Sequence, residues 1–233
     1  MKRKALLIGN TSGLQGVSLD LRRFDGFLKS ERGGAWNQSE ITLLENPSKK
    51  TLYGVLERVK RDKPDYLVVM FSGHGGHARS TKLELNQDGE EIYDRELENI
   101  AARQLNIYDC CRAVLQPAVE SFKAEAYAVA TFDSISRVRE LYDARILQAV
   151  EQQAILYACS IGEYARDTAQ GALYLKELLK SPDAMRADQR FLTIGIAHET
   201  ARRVVETVRS DQHPDSCLVK CLTSQQLIFA ISP

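Results

Sequence analysis

Tyr66-Leu67-Val68-Val69-Met70-Phe71-Ser72-Gly73-His74-Gly75 runs from an unbroken apolar stretch straight into a histidine set between glycines. Six consecutive apolar residues, rich in valine and aromatics, suit a strand covered on both faces, as in a parallel sheet. In open parallel sheets functional groups gather just beyond the carboxyl ends of the strands. The string Ser72-Gly73-His74-Gly75-Gly76-His77 falls where chemistry is expected.

Outward from this strand, apolar runs alternate with helical patterns, which predicts an α/β protein with helices covering a mostly parallel sheet of about six strands. Ala5 to Ile8 and Ile41 to Leu44 precede it as strands. Between and after them, residues 18–30 place Leu21, Phe24, Phe27 and Leu28 on one helical face, and residues 50–61 do so with Leu52, Val55, Leu56 and Val59. Residues 82–93 predict a small hairpin with Asp88-Gly89 at its turn, and 96–102 a short helix. Leu105 to Tyr108 and Ile155 to Ala158 are further strands, separated by a helical region over 113–152 that carries Phe122, Val129, Phe132, Leu141 and Leu147. A helix over 171–180 stops before Ser181-Pro182. Thr193 is placed to N-cap a helix whose inner face is Ile194, Ala197, Ala201, Val204 and Val208. The loop 209–217 reads as flexible, and Leu227 to Ile231 as the strand that closes the sheet. The whole chain, 1–233, reads as a single domain: a first half to 115, a helical connector over 116–150, and a second half over 151–233.

The strand at 105–108 runs into Asp109-Cys110-Cys111-Arg112. If it neighbours the strand at 66–71, a cysteine and His74 face each other across one crevice. A thiol is a weak nucleophile until it loses its proton; an imidazole can take that proton and return it to a leaving amine. Glycines around the histidine allow a close backbone approach, and the N–H groups of Gly75 and of the cysteine are placed to hold a developing oxyanion. Zinc is the competing chemistry, with His74, His77, Cys110 and Cys111 as ligands. Adjacent cysteines suit one ion poorly, and the Cys-x₂₋₄-Cys spacing is missing. No metal and no cofactor is expected.

Bulk properties narrow the partners. Of 233 residues, 31 are Lys or Arg and 31 Asp or Glu, so no net charge steers the chain to nucleic acid or to an anionic membrane. No stretch approaches the roughly 20 apolar residues of a spanning helix, and the run after Met1-Lys2-Arg3-Lys4 is too short for a signal peptide. A cytoplasmic setting is expected, with the five cysteines reduced.

The two strings together resemble the caspase and metacaspase peptidases. Strand-Ser72-Gly73-His74-Gly75 is similar to the histidine motif of that clan. Asp109-Cys110-Cys111-Arg112 is similar to its cysteine motif, Gln-Ala-Cys-Arg-Gly in caspases and Asp-x-Cys-His-Ser-Gly in metacaspases. That register makes Cys111 the nucleophile and Cys110 the variable residue before it. Leu14-Gln15-Gly16-Val17-Ser18-Leu19-Asp20 and the stretch from Ala158 to Gly171 extend the likeness over about residues 4–180. The glycine that ends the family's cysteine motif is replaced here by Ala113-Val114.

The resemblance implies a caspase-like α/β/α sandwich and a cysteine endopeptidase acting on protein substrates through a Cys111–His74 dyad. It also places Asp20, Ser72 and Asp109 in the S1 pocket. Two carboxylates suit the fixed donor fork of a guanidinium, so Arg and then Lys is expected at P1. Relatives work in regulated death or defence pathways, answer to an activating partner, and are cut between their halves, which directs attention to Lys123, Arg137, Arg139 and Arg145. Many metacaspases need calcium. The acidic stretch Asp88, Glu90, Glu91 and Asp94 is the candidate, although such runs are usually a solvated face and this one is no EF-hand loop. The alternatives are a catalytically silent caspase-like interaction module and a cysteine hydrolase or transferase acting on small substrates.

Overall fold

The computed structural model describes residues 1–114 and 135–232, apart from the side chains of 135 and 136. In chain order the strands are β1 (Arg3–Gly9), β2 (Ile41–Glu45), β3 (Tyr66–Ser72), β4 (Gly75–His77), β5 (Thr81–Glu84), β6 (Glu91–Tyr93), β7 (Arg103–Asp109), β8 (Gln152–Tyr157), β9 (Phe191–Thr193), β10 (Asp215–Cys217) and β11 (Ile228–Ile231). The helices are α1 (Val17–Lys29), α2 (Lys49–Asp62), α3 (Ile135–Gln148), α4 (Leu173–Lys180) and α5 (Ile194–Val208).

Six strands form the main sheet in the order β10-β8-β7-β3-β1-β2. The pairings among β2, β1, β3, β7 and β8 are parallel, and β10 joins β8 antiparallel. β3 lies in the middle and is buried along its whole length, as its unalternating apolar composition requires. One core packs Leu7, Val68 and Ile107 under α1, α4 and α5. The other packs Leu6, Val69 and Phe71 against Leu52, Val55, Leu56 and Val59 of α2 and against the small sheet β4-β5-β6. The structure is thus the α/β/α sandwich expected. Ser48 starts α2 by accepting from Thr51 N at 3.1 Å. Arg3, 1% exposed, bonds Asp143 of α3 and the carbonyls of Gly34 and Ala35, fixing α3 to the first strand.

Several sequence expectations need correction. The last strand does not close the main sheet: β11 pairs with β9 in a separate two-stranded sheet. The closing strand is β10, inside the loop 209–217 that read as flexible. Asp-Ser-Cys has no apolar alternation, so only its pairing with Ile155, Leu156 and Tyr157 identifies it. The expected hairpin is a three-stranded sheet, because Gly75–His77 also pairs with β5; its turn does carry Gly89 at φ 71°. The helix expected at 96–102 is instead one 3-10 turn over Asp94–Leu97. On α5, Val204 and Val208 face outward at 39% and 62% exposure, while His198 and Val205 take the inner positions. The face follows the 3.6-residue period, and the His198 ring is accepted inside because Nδ1 lies 2.8 Å from the Tyr174 hydroxyl. Thr193 does cap this helix, accepting from Ile196 N. Of the helix expected over 113–152, α3 is present. The calls on Phe122, Lys123, Val129 and Phe132 lie outside the described residues.

Candidate active site

β3 and β7 are neighbours in register, with Ser72 opposite Asp109, so the two chemical strings emerge side by side. Gly73 makes the turn possible. Its φ is 156°, and a Cβ there would stand 2.9 Å from Asn10 Cβ. Its N–H donates to the Asp109 carbonyl at 3.1 Å, tying the two strings together. His74 Nε2 faces the carbonyl of Ser12, in the loop after β1. A carbonyl can only accept, so Nε2 carries the proton and Nδ1 of a neutral ring keeps its lone pair for use as a base. Sequence reading did not find Ser12, because a backbone acceptor leaves no residue-type signature.

His74, Cys110 and Cys111 line one small cleft of about 40 Å³, together with Ser72, Asp109, Ala165 and Asp167. The two cysteines differ in exposure. Cys110 is 2% exposed and packs into the core with Leu83 and Ile92. Cys111 is only half-buried, and its Sγ lies 3.7 Å from the Ala165 carbonyl. Burial pushes both thiols above the ordinary cysteine range, and for Cys111 the Ala165 amide works the other way.

The backbone around Cys111 has a definite direction. His77 N–H donates to the Ala113 carbonyl at 2.9 Å. Successive N–H groups of a strand point to opposite sides, so Gly75 N–H, two residues earlier, is turned the same way, toward Cys111. Arg112 clamps the segment from behind. Its Nε reaches Thr81 Oγ1, its Nη1 reaches the Cys159 carbonyl and Asp215 Oδ2, each at 3.2 Å, and its guanidinium stacks 3.8 Å over the Tyr157 ring. An ammonium cannot make that fork or stack. Arg112→Lys is therefore expected to lower stability by about 2 kcal/mol, read as a shifted urea midpoint at unchanged slope.

The acidic residues converge below the cleft. Ser72 Oγ donates to Asp20 Oδ2 at 3.0 Å, and Ala172 N–H shares its proton between both Asp20 oxygens. Leu175 N–H donates to Asp109 Oδ2 at 2.9 Å. Asp20 thus caps not its own helix but the N-terminus of α4, jointly with Asp109. Burial raises Asp20 to about 6 against the opposing Ala172 and Ser72 hydrogen bonds. Asp109 is pushed well above the carboxylate range by burial and then by the Asp20 charge. A third carboxylate, Asp167, was missed in the sequence. It accepts from Gly16 N–H, its Oδ1 has no side-chain hydrogen-bond partner among the described residues, and burial raises it while the Gly16 and Thr168 amides and then His74 pull the other way. It sits in a loop of mixed polar residues where nothing marks one acid from another.

The metal candidates are dispersed. His77 lies beside Val114. Glu90 bonds Asn86, Glu91 pairs with Lys82, and Asp94 holds the Tyr157 hydroxyl. Among the described residues no group of three or more His, Cys, Asp or Glu stands ready to hold a metal ion, and no helix is long and apolar enough to cross a membrane. A larger cavity of about 530 Å³, between α3 and residues 187–190, is lined by neither histidine nor cysteine.

A family model described as a caspase domain matches residues 2–225. Two solved structures are similar in fold. One is a protein of Geobacter sulfurreducens at 17% identity and TM-score 0.62, over 97% of each chain. The other is caspase-1 from Spodoptera frugiperda at 11% identity and TM-score 0.63, over 99% of this chain and 92% of that one. No curated protein sequence matches.

Proposed function

Since this chain belongs to the caspase-domain family of cysteine peptidases, we propose that it is an active endopeptidase that cuts protein substrates after arginine, and less well after lysine. The observation that carries the proposal is that His74 and the reachable Cys111 line one cleft whose floor is made of buried carboxylates. In this reading His74 Nδ1 takes the Cys111 proton as Sγ attacks the scissile carbonyl. The N–H groups of Gly75 and Cys111 hold the oxyanion. His74 then protonates the leaving amine, and water hydrolyses the thioester with the same ring as base.

The P1 preference rests on electrostatics. Among the described residues Arg23 is the cation that acts on Asp20, and none acts on Asp109. An arginine side chain entering beside them supplies a positive charge and several donors to desolvated carboxylates. Asp167 adds a third acid at the same cleft and strengthens the preference. A P1 aspartate meets like charge. The cleft has room for only a few waters, so entry of so long a side chain requires residues 165–171 to lift from their contacts with Gly16 and Arg23.

The test is a panel of fluorogenic peptides differing only at P1, with and without calcium. Arg peptides are expected to be cleaved with a kcat/KM several-fold above Lys peptides and at least about 100-fold above Asp peptides, since like-charge juxtaposition costs several kcal/mol. Preference for Asp would overturn the specificity. Failure to cleave any peptide, with calcium present, would favour a silent interaction module.

A further inference from the structure

We infer that Cys159 is a positioning residue for the oxyanion hole: its thiol holds back the Cys110 carbonyl and so aims the Cys111 N–H into the cleft. The inference rests on the peptidase reading above and assigns a role within it to a residue outside the catalytic pair. Cys159 follows β8 by two residues. The register Tyr108 opposite Tyr157 continues through the Ala158 N–H to Tyr108 carbonyl bond, which sets Cys159 beside Cys110. Its sulfur is wholly buried and lies 3.5 Å from the Cys110 carbonyl oxygen. The Glu163 carbonyl is equally near, but that oxygen already accepts from Arg112 N–H at 3.0 Å. Among the described residues no backbone N–H outside the regular strands reaches the Cys110 carbonyl. Arg112 Nη1 also donates to the Cys159 carbonyl at 3.2 Å, so Cys159 is tied to the residues on both sides of Cys111.

The consequence follows from peptide geometry. In a trans peptide the C=O and the next N–H point in opposite directions. β7 lies between β8 and β3. Drawing the Cys110 oxygen toward the β8 side therefore turns Cys111 N–H toward the β3 side, where Gly75 N–H is aimed back at it. Two donors then converge on one point. Without the thiol, the Cys110–Cys111 peptide loses the contact that fixes its plane, although Cys111 Sγ and His74 are untouched.

The test compares wild type with Cys159→Ala and Cys159→Ser, all checked for a cooperative melt. An arginine-aldehyde inhibitor forms a tetrahedral adduct that needs the oxyanion hole. Iodoacetamide alkylates Cys111, read on the Cys111 peptide by mass spectrometry, without needing it. Removing one oxyanion donor costs about 10²–10³ in rate, so misaiming one is expected to lower kcat about 10–100-fold in Cys159→Ala at unchanged KM. Aldehyde affinity should fall in step, with the alkylation rate unchanged. Cys159→Ser, whose hydroxyl can donate to the same carbonyl, is expected to recover most of both. Retained aldehyde affinity in Cys159→Ala, equal losses of aldehyde binding and alkylation, or no recovery with serine would each overturn the inference while leaving a cleaving wild type as a peptidase. A wild type that neither cleaves Arg peptides nor binds the aldehyde would overturn the peptidase reading, and this inference with it.

Discussion

Cys111→Ala is expected to reduce kcat on Arg peptides by about 10⁴–10⁶, as removal of a nucleophile does when the remaining groups act only as part of a unit. Cys110→Ala is expected to keep activity within a few-fold of wild type. The contrast is sharp because the residues are adjacent in sequence and differ only in where the backbone puts them. Cys110 is packed beneath β4, so close that a Cβ on Gly75 would stand 2.8 Å from its sulfur. Both cysteines touch the cleft that His74 shares, but Cys110 is 2% exposed and Cys111 only half-buried, so Cys111 is the thiol a substrate carbonyl can reach. Cys110→Ala removes a buried sulfur and is expected to cost about 1–2 kcal/mol of stability, read in a thermal melt. If Cys110→Ala were the inactive variant and Cys111→Ala the active one, the assignment of the nucleophile would be reversed.

Asp20→Asn is expected to make the protein more stable at pH 7–8 and nearly useless toward arginine. The folded-state value of Asp20 is about 6, against 3.8 ordinarily. Between those values the folded chain holds a proton that the unfolded chain has released. Stability from this group is therefore full below pH 3.8 and is lost as pH rises through 6. The loss amounts to about 3 kcal/mol at neutral pH. Asparagine never ionises and carries no such loss. It keeps one oxygen for Ala172 N–H and gives up an acceptor worth about 1 kcal/mol. A net gain of about 1–2 kcal/mol is expected, with Tm higher by roughly 2–8 °C.

On the proposed specificity the same substitution removes a desolvated charge from beneath the cleft, which is expected to lower kcat/KM for Arg peptides at least about 30-fold. In wild type, KM for Arg peptides is expected to rise as pH falls below 6, because a guanidinium gains little from a protonated Asp20. Asp20→Asn should flatten that dependence. A variant that is less stable at pH 8 and still cleaves Arg peptides at the wild-type rate would show that the carboxylate is neither strained nor used.

These expectations draw on two levels of information that were unequally legible. The apolar run at 66–71 and the strings around His74 and Cys111 announced the sheet and the two segments that meet at the cleft. Burial on both faces leaves a continuous hydrophobic signal, and strand ends are where such sheets keep their functional groups. The helices α1 and α2 were equally readable, from one amphipathic stripe each. β10 was not, because an edge strand of Asp-Ser-Cys is identified by its neighbours and not by its own side chains. The exchange of Val204 and Val208 for His198 and Val205 was hidden for a related reason: a histidine is admitted to a core only when a partner such as Tyr174 is there to meet it.

By itself, then, the amino-acid order determined the α/β architecture and the two strings at the strand ends, since periodicity and residue chemistry are local properties, while Asp20 and Asp109 were singled out only by the family resemblance. Only the tertiary structure decided which of two adjacent thiols is reachable, that the Ser12 carbonyl sets the imidazole tautomer, that Asp167 joins Asp20 and Asp109, and that the Cys159 thiol meets the Cys110 carbonyl. Each of these is a contact between segments distant in the chain. Such contacts depend on strand register and on the direction of backbone groups, which no single stretch of sequence encodes.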